Sequence, residues 1–172
     1  MTQYAGPADA LCAAIVAEYR RRMMDEYLPR ITRCVSLLTP DELWKKTGPH
    51  NNSVANLLLH LEGNVRQWML CGLGGAEDDR DRDGEFDATV DSERRSGAEL
   101  VEVLRATVAE SVRVAEWLTP TDLLQEKRFQ GEFEETGVGA VLHVMEHFSG
   151  HAGQIYAYTK QVKAMDLRFY DL

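Results

Sequence analysis

The chain has 172 residues, 44% hydrophobic and 27% charged, with a formal charge of −9. Such a length and mixture suit a single globular domain, 1–172, with a substantial core. The acidic balance argues against nucleic acid as a partner, and no apolar run is long enough to span a bilayer. The opening residues, Met1 to Pro7, lack the basic and apolar regions of a secretory signal. Cys12, Cys34 and Cys71 are odd in number, scattered and without a CxxC pair, the pattern of small buried hydrophobes in a reducing cytoplasm.

Residues 8–38 read as a first long helix. Leu11, Ile15, Tyr19, Met23 and Tyr27 fall at helical spacing, and Pro29 inside the run predicts a kink or a split. Thr39-Pro40-Asp41-Glu42 is a helix start that opens only a short turn before Thr47-Gly48-Pro49-His50 breaks it. Asn51, Asn52 and Ser53 offer caps for a second long helix ending near 72–75. Residues 76–95 are dense in charge and read as a long solvated acidic loop. Ser96 caps a third helix to about Leu118, with Leu100, Leu104, Val108 and Val112 inward, joined by Val101, Ala115 and Trp117. Residues 128–134 alternate weakly, as a short extended turn or ribbon would. A fourth long helix covers about 138–163, and the apolar groups of 165–170 predict a tail that packs down. Four amphipathic helices with one acidic loop between the second and third predict an all-α fold, a four-helix bundle.

The chemistry concentrates on two of these helices. His143, His147 and His151 recur every four residues on the fourth, so they stack along one face. With Val141, Val144, Phe148, Ala152 and Ile155 as its core, His151 borders the apolar face, His147 comes next and His143 lies at the rim. Gln154 and Tyr158 share this band. On the second helix, Val54, Leu57, Leu58, Leu61, Val65, Trp68 and Met69 form the core face. Beside it runs a polar but uncharged stripe of Ser53, Asn56, His60, Asn64, Gln67 and Cys71. Such a stripe suits either a pocket wall or a helix–helix or dimer contact with internally satisfied amides. His60, His147 and His151 are candidate metal ligands, for which imidazoles favour zinc, nickel or another borderline divalent ion with water completing the shell. The pattern is not HExxH, and no carboxylate base sits on either histidine face.

Asn56-Leu57-Leu58-Leu59-His60-Leu61-Glu62-Gly63-Asn64, followed by His147-x3-His151-x2-Gln154, resembles the DinB-like superfamily. Asn52-Ser53, Arg80-Asp81-Arg82 with Glu85-Phe86, and the closing Asp166-Leu167-Arg168-Phe169-Tyr170 bring it nearer to a bacterial branch of uncharacterised members. The resemblance implies a four-helix bundle in which His60, His147 and His151 hold a divalent metal, with His143 outside the ligand set. It also implies a homodimer and, for some members, thiol S-transfer with bacillithiol, mycothiol or glutathione. The leading expectation is therefore a metal-dependent enzyme of thiol transfer, with a low-molecular-weight thiol as co-substrate and Asn56, Asn64, Gln67, Gln154, Tyr158 and His143 as pocket candidates. Arg80 and Arg82 are the cations placed to meet a thiol's carboxylates, among neutralising acids. Two other readings stand beside it: a metal-dependent hydrolase, and a non-catalytic metal- or ligand-binding stress protein.

Overall fold

A computed structural model describes residues 6–169; the readings of Met1 to Ala5 and of Tyr170 concern residues outside that span. The chain is mostly helical. The first long run is α1 (Pro7–Arg20), a π-helical segment (Arg21–Tyr27) and α2 (Leu28–Leu37) without a break. Pro29 has no N–H and its ring crowds the carbonyl four residues earlier. The helix meets this by widening just upstream, where Leu28 donates to the carbonyl of Met23, five residues back. The expected split is therefore a change of helical pitch.

Thr39, Ser53, Ser96 and Thr119 each close a reciprocal capping box at the start of α3 (Pro40–Trp44), α4 (Val54–Val65), α6 (Gly97–Glu116) and α7 (Pro120–Leu124). α4 continues as a second π segment, Arg66–Leu73, and α8 spans Gly137–Lys163. α6 packs on both α2 and α4, and α8 packs on both α4 and α2, so these four close a ring around the core. Tyr19, Met23, Leu58, Leu61, Met69, Leu104 and Phe148 are fully buried within it.

Three expectations need correction. Leu11 is 63% exposed, and Cys12 takes the inward place. Seven residues on a helix turn about 700°, close to a whole number of turns, so Cys12 stands in line with Tyr19; Leu11, eight residues back, is about 80° off. Trp117 is 86% exposed, because α6 ends at Glu116 and the chain turns away before the indole can point inward. Residues 126–136 form a small antiparallel hairpin, so the fold is not purely helical: β1 (Glu126–Phe129) pairs with β2 (Phe133–Thr136), Phe129 opposite Phe133. Phe129 is buried and stacks on Trp68 at 4.7 Å, pinning the hairpin to the second π segment. Gly72 makes room for it, since a Cβ there would run into the Phe129 ring.

The tail packs as expected over the described residues, with Leu167 buried and Phe169 edge-on to Tyr156 at 4.8 Å. No helix among the described residues is long and apolar enough to cross a membrane.

Phe148, buried and stacked on Tyr27 at 5.6 Å, marks the centre of this packing. Phe148→Ala should cost about 3–5 kcal/mol in urea-induced unfolding, while Trp117→Ser stays within about 0.5 kcal/mol of the parent.

Candidate metal centre

The seam between α4 and α8 carries the histidines. His60 is buried on α4, and His147 and His151 are half-buried one turn apart on α8. Each of the three offers one nitrogen such that all lie within 4.8 Å of one another, and no other metal-ligating cluster of three forms among the described residues. Nε2 of His60 and Nε2 of His147 face each other at 3.0 Å. Two nitrogens bound at about 2.0–2.1 Å to one tetrahedral ion stand roughly 3.3 Å apart. The donor set and its spacing therefore fit a divalent ion.

Electrostatics hold the two α8 rings in the ligating form. Burial, reinforced by the neighbouring His151 and His60, pushes His147 down from 6.5 to about 3. Burial and then His60 lower His151 as well. Metal binding requires neutral imidazole, so at neutral pH no proton has to leave either ring. His143 is also lowered by burial. It stacks on Trp68 at 3.9 Å, and its Nε2 lies 3.5 Å from Asn64 Nδ2. A cavity of about 390 Å³ opens in front of His60 and His147, walled by Asn64, Trp68 and His143 and roofed by Arg82 and the hairpin residues Gln130, Phe133, Glu134 and Glu135. A larger hollow of about 530 Å³ between α2, α3 and α6 has no histidine in its lining.

The acidic segment is not a solvated loop. It lies along the uncharged stripe of the α4 run, in antiparallel order. Cys71 donates to the carbonyl of Glu77. Gln67 holds Asp78 at 2.8 Å and accepts from Arg80 at 2.8 Å. A short helix, α5 (Arg82–Asp87), capped by Asp81, turns Glu85 and Phe86 inward. Asn56, fully buried, donates from its amide to the carbonyls of Glu85 at 2.9 Å and Ala88 at 3.0 Å. The stripe that suggests a pocket wall is thus largely a seat for residues 77–88.

Glu85 is the site residue that the sequence pattern does not expose. One carboxylate oxygen sits 2.8 Å from His60 Nδ1, and both are gripped by Arg80, at 2.7 and 2.9 Å. Burial opposes ionisation of Glu85, but the hydrogen bonds from His60 and Arg80 outweigh it and hold the carboxyl below its usual range. Phe86 tilts against the His60 ring at 4.6 Å. It is the one large apolar side chain between Leu73 and Val90, and that was the available signal that this segment docks.

The other candidates divide. Asn64 and His143 line the cavity, whereas Asn56 and Gln67 fasten the acidic segment. Gln154 is exposed and reaches His151. Tyr158 donates its hydroxyl to the carbonyl of Glu42 at 2.6 Å, away from the cavity lining. Arg80 is committed to Glu85 and Gln67, with its side chain only 4% exposed. Arg82 stays exposed over the Phe86 ring.

Comparison with solved structures places this helical arrangement among the DinB-like proteins. A DinB-like protein from Bacillus cereus superposes with a TM-score of 0.62 at 15% identity, covering 81% of this chain and 87% of that one. A DinB-like protein from Bacillus subtilis gives 0.63 at 16% identity, covering 90% and 95%. Residues 13–171 match the family described as protein of unknown function DUF1572, and the chain belongs to that family. No curated protein matches it. The fold and the histidine triad are compatible with metal binding.

The depressed His147 value has a measurable consequence in protein stripped of metal. A folded-state value below the ordinary 6.5 means that the unfolded chain takes up protons first, so stability falls as pH drops from about 6.5 toward 3. Chemical denaturation at stepped pH should show this loss, and His147→Gln should flatten it.

Proposed function

We propose that this protein is a metal-dependent thiol S-transferase built on the four-helix bundle of the DinB-like type. His60, His147 and His151 hold zinc or nickel, and a low-molecular-weight thiol is the co-substrate. The observation that supports this reading is the convergence of three imidazole nitrogens within 4.8 Å, two of them, on His60 and His147, bordering a cavity large enough for a small molecule. Three protein ligands leave a further position open, and a divalent ion there lowers the pKa of a bound thiol into the neutral range.

The protein's own groups then have distinct tasks. His147 and His151, kept uncharged by burial, bind without first losing protons. Asn64 and His143 offer hydrogen bonds to the thiol's polar groups. Arg82, exposed over the Phe86 ring, meets a carboxylate of the co-substrate at the cavity mouth. The hairpin covers the cavity from the other side. The three free cysteines suit a cytoplasmic setting, where thiol co-substrates are reduced. The working unit in this reading is a homodimer, as the resemblance to the DinB-like superfamily implies.

The test is electrophile-dependent thiol consumption by protein loaded with zinc or nickel. Consumption should require the metal and disappear in His151→Ala. No turnover with bacillithiol, mycothiol or glutathione would contradict the reading, and turnover of a model ester without thiol would assign hydrolysis instead.

A further inference from the structure

The three histidines are not held alike. The Nδ1 atoms of His147 and His151 are buried with no hydrogen-bond partner, whereas Nδ1 of His60 meets Glu85. A carboxylate can only accept. The nitrogen 2.8 Å from it must therefore carry the proton, which leaves the lone pair of His60 on Nε2, the atom that faces His147. Arg80 Nη2, itself a donor, also lies 3.1 Å from Nδ1, but its nearer acceptor is the Glu85 oxygen at 2.9 Å, so the shorter 2.8 Å contact with the carboxylate decides the tautomer and Arg80 fixes that carboxylate in place.

Packing makes this arrangement demanding. Gly63 faces the Glu85–Arg80 pair so closely that a Cβ there would overlap Glu85 Oε1 and come within 2.9 Å of Arg80 Nε. The pair fits against α4 only because position 63 has no side chain. Asn56 then fixes the far end of α5 by its backbone carbonyls. These restraints converge on one carboxylate and one imidazole.

We infer that Glu85 is a positioning residue, which fixes His60 with Nδ1 protonated and Nε2 free to coordinate, and that residues 77–88 are thereby coupled to metal loading. This rests on the metal-site reading above. By linkage, if docking of the segment tightens the metal by some factor, the metal tightens docking by the same factor. The acidic segment is then a part of the metal centre contributed from outside the four long helices.

Zinc affinity of the full chain, measured by competition with a chromophoric chelator, tests it. Glu85→Ala should weaken zinc about 10–100-fold, and Glu85→Gln less, since its amide oxygen can still accept from Nδ1. Gly63→Ala should weaken it as well by dislodging the carboxylate. Asp83→Ala, exposed on the same short helix, should stay within about twofold. Long-range 1H–15N spectra should show His60 bound through Nε2 in the parent and a mixed tautomer population in metal-free Glu85→Ala. Hydrogen exchange over 77–88 should slow on zinc addition in the parent only. Parent-like affinity in Glu85→Gln and Gly63→Ala overturns the proposal even if Glu85→Ala fails to fold, as does equal weakening by Asp83→Ala. A parent that takes up no zinc removes the metal-site reading itself, a different failure visible in the first titration.

Discussion

Bringing three imidazoles to one point inside a protein is stable only while they stay uncharged or share a cation. Burial on the α4–α8 seam enforces the first condition at His147 and His151, and repulsion from the neighbouring rings deepens it, most strongly at His147. The same neutrality prepares the rings to coordinate. Core packing supplies the rigidity: α4 and α8 each lean on α2 or α6, and Phe148 and Leu61 anchor the two helices beneath the histidines. The 3.0 Å approach of two ring nitrogens thus follows from how the core face of each helix is aligned, one residue off the histidine stripe.

Around that point the protein builds an asymmetric shell. On one side, the acidic segment brings a carboxylate and an arginine in a single buried ion pair, with no net charge added to the site. On the other, Trp68 and His143 line the cavity, and Phe129, stacked on Trp68, carries the hairpin. Two glycines, Gly63 and Gly72, permit the two coverings, each by leaving space for the group that lies over it. The sheet and the short helix are therefore not decoration on the helical ring. They close the site from above.

The long helices were legible because their signals are local: capping residues, apolar spacing, and breaks at Pro and Gly. The convergence of the three histidines was legible for the same reason, since a four-residue interval on α8 and a core-flanking stripe on α4 fix which way His147, His151 and His60 point. Glu85 was not, because its place depends on how far residues 76–88 fold back along α4, and a charge-rich composition hides that tertiary contact. Trp117 misled through its apolar character, although its position at the end of α6 takes it out of the core. The uncharged stripe was a true signal with two readings. Asn56 and Gln67 serve the docked segment, while Asn64 faces the cavity.

The central claim is that His60, His147 and His151 bind one ion together. X-ray absorption at the zinc edge of the loaded protein tests it most directly. The account predicts one equivalent of zinc with three imidazole nitrogens at about 2.0–2.1 Å and a light-atom ligand from solvent. A sulfur shell at about 2.3 Å, or a site with fewer than three imidazoles, would contradict it.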